Sequence, residues 1–461
     1  MEDTAITHLQ EDPTSRSTLS RLARLGAATS AAVLAPLAVS APAERAAANP
    51  SGKTVGLTAA GTHETGVFDA SAAEIPAFDP ATGRLFVVNA QKGAIDVLRV
   101  CADAAPTGET VLSAEGLTTA DGSVTDEGAT VNSVAVSPNG AYAVVANEGE
   151  PADDFSADPE GTVSVISVPQ NVHQFSRLSQ DDVRTVDFRA YDAGTPLPEG
   201  VRVFGPDVQV PEGQEPAGRI ARNLEPEYVT IGDTGRTAYV SVQEANAVVA
   251  IDLTSATIQD FWALQLTDWS KDGRLDASND DGAINRQNWP VTGVPMPDGV
   301  DSYRWRGQDL VVTANEGDPR EWGDVVDAER VKDLELCAAE YPEAAALQMK
   351  AALGRLNVVT DLGYDAEREC YSRLHAFGGR SFSIYTADGE LLFDSAGMIE
   401  DQIARLIAAG ELPESALNAN NDETPSFVPA HVSPSGEALL IVANEVSGST
   451  TVYEVQPTRA R

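Results

Sequence analysis

The chain has 461 residues, 42% hydrophobic and 6% aromatic, enough Val, Ala, Ile and Leu for an extended core. Its 70 Asp and Glu against 31 Lys and Arg give a formal net charge of −39 and a pI near 4.3. Such a surface repels nucleic acid and anionic lipid and attracts cations, which excludes nucleic acid as a partner. No segment approaches the roughly 18 apolar residues that a membrane span requires, so no transmembrane segment is expected.

The first 50 residues differ from the rest. Arg16, Arg21 and Arg24 precede an Ala-rich, weakly apolar run from Leu25 to Val39, then Ala41-Pro42-Ala43 and Ala46-Ala47-Ala48. A basic start, a short apolar run and a small-residue cleavage site make a signal peptide, so residues 1–48 read as an export leader and the mature protein as secreted. An acidic stretch before the arginines and Pro36 within the run depart from that pattern; a disordered cytoplasmic tail is the alternative. In an oxidising compartment Cys337 and Cys370, which flank one insertion, are free to pair, although the sequence leaves the pairing open. Cys101 reads as a small buried hydrophobe, and the absence of Cys-x-x-Cys excludes a zinc ribbon.

From residue 54 to 456 one phrase returns: apolar strand, polar turn with Gly, apolar strand, acidic loop, apolar strand. It reads AFDPATGRLFVVNAQKGAIDVLRV at 77–100, AVSPNGAYAVVANEGE…GTVSVISV at 135–168, YVTIGDTGRTAYVSVQEANAVVAIDL at 228–253 and HVSPSGEALLIVANEVSGSTTVYEV at 431–455. Such copies bury their faces only against one another, which predicts an all-β fold, a single β-propeller. Seven blades are expected, with six as the alternative and 353–395 as the seventh. Within a blade, strands A, B, C and D run from inside out; in the first copy A is Glu74–Phe78, B is Arg84–Val88 and C is Ala94–Leu98. The last copy ends at its third strand, so the run Thr54–Ala59 is expected to supply the outer strand and close the ring. Three stretches break the repeat. Residues 194–222 read as a long Pro- and Gly-rich loop; 326–351, with Leu334, Leu336 and Leu347, and Met398–Ile407 read as short helical insertions.

The loops between strands B and C carry the sharpest chemical signal. Asn147-Glu148-Gly149-Glu150 and Asn315-Glu316-Gly317-Asp318 are near-identical at equivalent places, with Asn444-Glu445 and Gln243-Glu244 as weaker relatives. Alternating hairpins put these loops on the same face as the acidic lead-ins Glu74, Glu225-Pro226-Glu227, Asp298 and Asp301. Carboxylates gathered around one mouth need a counter-ion or raised pKa values, and oxygen-only donors suit Ca²⁺ (or Mg²⁺). Glu148, Glu150, Glu316, Asp318 and Glu227 are the candidate ligands; the competing reading is a Gly turn with no metal. Asp268-Trp-Ser270-Lys-Asp272-Gly273 matches the first half of a calcium loop and adds Asp268 and Asp272, although Asn279 stands where a bidentate Glu is expected. Arg320 and, in Gly378-Gly379-Arg380-Ser381, Arg380 are the candidate anion-binding residues. His63, His173, His375 and His431 form no nucleophilic motif, and His63-Glu64 reads as a loop before the first blade.

The blocks ETGVFDASAAEIPAFDPATGRLFVVNA, LEPEYVTIGDTGRTAYVSVQEANAVVAIDL, TANEGDPREW, GRLNVVTDLG and FGGRSFSIYTADGELLFDS resemble the choice-of-anchor I family of exported bacterial propellers. The resemblance covers most of 55–395 and returns at the end. It extends to mesenchyme-specific cell-surface glycoproteins and to proteins labelled alkaline phosphatase, and it implies a seven-bladed propeller outside the membrane. No anchor is apparent at the C-terminal PTRAR, which favours a released form. Asn418–Pro425 keeps the family's Asn/Asp-rich stretch, but the Glu-Pro lead-in that follows is missing, so one blade is expected to be trimmed.

Together these readings predict a secreted, calcium-stabilised binding module for an extracellular protein, a glycan or a small anionic ligand. The alternative is a metal-dependent, phosphatase-like phosphoesterase at the acidic mouth. Arg320 and Arg380 discriminate between them, because phosphate-ester chemistry needs positive charge beside the metal.

Overall fold

The computed structural model describes residues 55–66, 73, 76–79, 84–89, 94–100, 106–113, 131–152, 155, 158–168, 182–207, 218–271, 275–278, 281–412, 423–444 and 448–457. The stretch 1–48 read as an export leader, Cys101, Asp272 and Glu445 lie outside them. The fold is mostly β with few helices. No helix among the described residues is long and apolar enough to cross a membrane.

Five sheets each have four antiparallel strands in the A-to-D order expected. The first holds Pro76–Asp79, Arg84–Asn89, Ala94–Val100 and Pro106–Ser113. The second holds Val131–Val136, Tyr142–Asn147, Thr162–Ser167 and Val183–Asp187. In the third are Pro226–Ile231, Thr237–Val242, Ala247–Asp252 and Thr257–Ala263. The fourth uses Val300–Trp305, Gln308–Asn315, Ser381–Thr386 and Leu391–Asp394. In the fifth, Glu423–Val428, Ala438–Asn444 and Ser449–Pro457 are completed on the outside by the N-terminal strand Val55–Glu64. The N-terminal run therefore does supply the missing outer strand. His63, expected in a loop, lies in this strand opposite Thr450. Glu423–Val428 takes the A position, so the fifth sheet is complete despite its short approach.

The A strands of the second, third, fourth, fifth and first sheets are neighbours in that order. Strand periodicity explains why they stack. A side-chain period of two sends alternate residues to opposite faces, and here both faces are dry. Leu439, Ile441 and Ala443 pack toward the first sheet, whereas Leu440 and Val442 pack toward the fourth. In the third sheet Val249 and Ile251 face the second sheet, while Val248 and Ala250 face the fourth. These runs are consequently continuous in apolar residues, and each fully buried Val, Leu or Ile contributes roughly 1.5–3 kcal/mol.

Two expectations for the insertions need correction. Residues 353–395 do not make a blade of their own. Ser381–Thr386 and Leu391–Asp394 are the outer half of the fourth sheet, and Asn357–Val359 and His375–Phe377 belong to a mixed five-stranded sheet with Thr267–Asp268, Thr292–Val294 and Ala328–Arg330. Nor is 326–351 helical as a whole: it holds a 3-10 turn at Val331–Asp333 and one α-turn at Ala344–Leu347. Its leucines are held by tertiary packing, with Leu336 in a core with Trp269 and Trp289 and Leu334 and Leu347 packed against it. A Cys337–Cys370 disulfide (Cα–Cα 5.1 Å) clamps this irregular segment. The second expected helix is present as Met398–Ala409, which buries Ile399, Ile403 and Leu406.

Candidate acidic mouth

The Asn-Glu-Gly signature divides into separate roles. Asn147, at the end of its B strand, donates through Nδ2 to Thr162 Oγ1 (3.1 Å) and Ser164 Oγ (3.0 Å) on strand C. Asn315 does the same to Ser381 Oγ (2.9 Å) and Ser383 Oγ (2.8 Å), and Asn444 to Ser449 Oγ (3.1 Å). The recurring Asn is a clamp between strands B and C. The Gly that follows is a steric requirement: Gly317 has φ +86, and a Cβ there would lie 1.8 Å from the Gly378 nitrogen. Gly149 has φ +82, and its Cβ would lie 2.8 Å from the Glu160 carbonyl. Clamp and turn leave only the intervening glutamate for chemistry, which is why one motif supported both a structural and a metal reading.

Glu148 and Glu316 are half-buried, whereas Glu150 and Asp318 are exposed. These loops meet the lead-in to the third sheet, where Glu225 is 1% exposed. Arg320 ties them together. Its Nη2 donates to Glu225 Oε2 (2.6 Å), Glu244 Oε2 (3.2 Å) and the Asn223 carbonyl (3.3 Å), and its Nη1 to the Phe204 carbonyl. The guanidinium lies 4.8 Å from the Trp322 ring centroid, and Trp322 Nε1 donates to Glu150 Oε1 at 3.3 Å. Burial pushes the Glu225 carboxyl well above its ordinary range; Arg320 opposes this, while Glu244, Glu148 and Glu150 add to it. One oxygen, Glu225 Oε1, has no hydrogen-bond partner.

Glu227, two residues on, is pushed up in the same direction by burial and then by Glu244, Asp298, Glu148 and Glu316, with no cation among these causes. Gln243 lies between Glu316 and Glu227: its amide reaches Glu316 Oε2 at 3.4 Å, and the opposite amide orientation donates to Glu227 Oε1 at 2.8 Å. The loops and lead-ins thus bring Glu148, Glu150, Glu225, Glu227, Glu244, Asp298 and Glu316 into one electrostatic group. Asp301 does not join them. It is half-buried, accepts from Phe427 N and Ser302 N (both 2.7 Å), and desolvation raises it to about 6.

Sequence reading missed the framework beneath the mouth. Asp327, fully buried, accepts from Arg320 N (2.8 Å) and pairs with Arg202 (2.5 Å), which also pairs with Asp361 (2.7 Å). Arg222 pairs with Asp158 and, at 3.3 Å, with Asp207. Isolated arginines in long loops carry no local signature, although Arg202 and Arg222 bounding a Pro- and Gly-rich stretch were a usable hint.

The other candidates lie elsewhere. Asp268 accepts from Ser270 N (3.0 Å) and Ser270 Oγ (2.5 Å) and pairs with Lys271 (2.6 Å); these bonds hold its carboxyl below the usual range. Arg380 enters strand C of the fourth sheet and donates to Glu400 Oε1 and the Asp276 carbonyl, both at 3.0 Å. Among the described residues no three His, Cys, Asp or Glu side chains already form a metal-ligand set. In donor type the mouth nevertheless suits a hard cation: it is rich in carboxylate oxygens, and one of them is buried without a partner.

Residues 124–458 match the Choice-of-anchor I domain, and the chain belongs to that family. No curated protein matches the sequence. Solved structures similar to it include a gluconolactonase from Xanthomonas campestris (10% identity, 90% of this chain and 99% of that one, TM-score 0.31). A streptogramin B lyase is also similar (9%, 86% and 97%, TM-score 0.28). So is the β-propeller domain of Cps50 (Swd1) from Myceliophteria thermophila (7%, 86% and 100%, TM-score 0.28).

Proposed function

We propose that this chain is an exported, surface-associated β-propeller whose blades are closed by the strand Val55–Glu64, and that it binds an extracellular protein or glycan at its acidic mouth with Ca²⁺ (or Mg²⁺) as cofactor. The observation that carries the reading is the charge imbalance at Glu225 and Glu227. Seven carboxylates act on one another there, and Arg320 bonds directly to Glu225 and Glu244. Glu148 and Glu316, half-buried in the loops after their B strands, and Glu227, half-buried at the start of the third sheet's A strand, would hold the ion, which would neutralise the mouth and fix the loops that carry a partner's contacts. Glu150, Asp318 and Asp268 are weaker ligands in this reading, since two are exposed and the third is bonded within its own turn.

The phosphoesterase alternative loses its main support. The Arg320 guanidinium is buried and bonded to Glu225, Glu244 and two carbonyls, and Arg380 is bonded to Glu400 and a carbonyl. Neither is presented to an incoming phosphate, and the same argument disfavours a small anionic ligand.

The test is Ca²⁺ titration of the chelator-stripped mature chain followed by thermal unfolding, with Glu148→Gln/Glu316→Gln alongside. An ion that binds the native state stabilises it by mass action, about 2.7 kcal/mol at a hundred times Kd. The expected result is a midpoint rise in the wild type that the double variant loses. No rise at millimolar Ca²⁺ overturns the cation reading.

A further inference from the structure

In the second, fourth and fifth sheets the residue that ends strand B is an asparagine that clamps strand C. The third sheet has Gln243 at that place, just after Thr237–Val242, and its strand C opens Ala247-Val248-Val249-Ala250, with no hydroxyl to accept such a bond. One methylene longer than asparagine and released from the clamp, the Gln243 side chain reaches across the mouth instead. Its backbone is fixed: Asn246 N donates to the Gln243 carbonyl (2.8 Å) and closes the turn. Asn246 Oδ1 accepts from Met296 N (3.0 Å), and the Met296 carbonyl accepts from Gly317 N (3.3 Å), which ties this turn to the loop that carries Glu316. On the other side Pro226 pairs with Val242, and Tyr228 N donates to Ser241 Oγ (2.9 Å), which holds Glu227 in place.

The amide of Gln243, a residue only 3% exposed, meets two carboxylates. One end lies 3.4 Å from Glu316 Oε2; the other lies 2.8 Å from Glu227 Oε1 and closer still to Glu227 Oε2. A primary amide carries hydrogens at one end only, so whichever way it turns, one carboxylate faces an amide oxygen. The Glu227 contact is as short as a hydrogen bond and the Glu316 contact is long, which puts the NH2 group on Glu227. Gln243 Oε1 and Glu316 Oε2 are then two oxygens 3.4 Å apart with no hydrogen between them. Oxygens about 2.3–2.6 Å from one Ca²⁺ and roughly at right angles around it are about 3.3–3.7 Å apart.

We propose that Gln243 is a ligand of the mouth cation, with its Oε1 and Glu316 Oε2 as adjacent donors and its NH2 group held by Glu227. The inference rests on the cation reading above and refines it. A carboxylate has about four acceptor sites, so Glu227 accepts from the amide and keeps lone pairs for the ion. The neutral amide oxygen adds a donor to a crowded acidic site without adding repulsion, which a further glutamate would not do.

Calorimetric titration of the chelator-stripped full chain with Ca²⁺ compares the wild type with Gln243→Leu and Gln243→Glu. Leucine removes the oxygen and should weaken Kd by about tenfold or more. Glutamate restores an oxygen at the same reach and should bind at least as tightly as the wild type, although it gives up the bond to Glu227. Tb³⁺ in place of Ca²⁺ separates a ligand from a packing residue, because its luminescence decay in light and heavy water counts the waters on the ion. Gln243→Leu should carry about one water more than the wild type, and Gln243→Glu the same number. If the wild type binds Ca²⁺ and Gln243→Leu keeps its Kd or its water count, Gln243 is not a ligand and the cation reading stands without it. Should Gln243→Leu fail to fold, weaker binding or an added water in Gln243→Glu overturns the assignment. No binding by the wild type at millimolar Ca²⁺ overturns the cation reading and this inference together.

Discussion

Two clusters in this molecule use the same residue types and differ in stoichiometry. Beneath the mixed sheet, Arg286 and Arg380 meet Glu400 and Asp401. Glu400, fully buried, accepts from Arg380 (3.0 Å), Arg286 (3.4 Å) and Asp276 N (3.1 Å), and Arg286 also pairs with Asp401 and the Gly397 carbonyl. Two arginines serve Glu400 and Asp401, and both carboxylate oxygens of Glu400 have partners; the adjoining Asp276 carboxylate accepts from Asn285 N through Oδ2 and, like Glu225, keeps one buried oxygen without a partner. At the mouth, Arg320 bonds Glu225 and Glu244 while Glu148, Glu227, Asp298 and Glu316 crowd alongside, and a buried oxygen is left without a partner. Burial raises the carboxyl pKa in both places, but two arginines oppose that at Glu400 whereas further carboxylates reinforce it at Glu227. A balanced cluster is a strut; an unbalanced one is where an additional positive charge has something to do.

The comparison can be broken most forcefully at the strut. Removing one partner of a buried, bonded pair typically costs about 3–5 kcal/mol, because the other charge stays buried. Glu400→Gln should therefore lower stability by about that amount in denaturant unfolding, with Arg380 and Arg286 left unbalanced; a loss below about 1 kcal/mol would remove the distinction from the strut side. A smaller effect separates scaffold from chemistry within the mouth motif. Asn315→Ala deletes three buried hydrogen bonds, two donated to Ser381 and Ser383 and one accepted from Thr313, and should cost about 2–3 kcal/mol. It should do so equally with and without Ca²⁺, since Asn315 clamps strands B and C. A loss that appears only in the presence of the ion would make Asn315 part of the binding site.

The repeat was legible because strand period and Gly turns are local signals. The third and fifth sheets fell where Thr237–Val242, Ala247–Asp252 and Ala438–Asn444 read as strands, and the Met398 helix declared itself by spacing alone. What the sequence hid was non-local. Leu334, Leu336 and Leu347 suggested a helix, yet Leu334 and Leu336 pack as irregular chain, held by a disulfide and a mixed sheet whose strands are two to three residues long. The acidic mouth was visible through its repeated glutamates and lead-ins. Arg320 was read as a ligand for anions because the buried partners of its guanidinium, Glu225 and Glu244, come from distant positions in the chain.

Glu227→Gln is the most direct single measurement, made in chelator and compared with the wild type by thermal unfolding. If Glu227 is an uncompensated carboxylate among others, neutralising it relieves repulsion and desolvation, and the midpoint should rise at neutral pH. The gain should shrink as pH is lowered, because the native carboxyl takes up a proton on its own. A midpoint that falls as it does for Glu400→Gln would contradict the account, for it would mean that Glu227 is already partnered and that the mouth is one more strut.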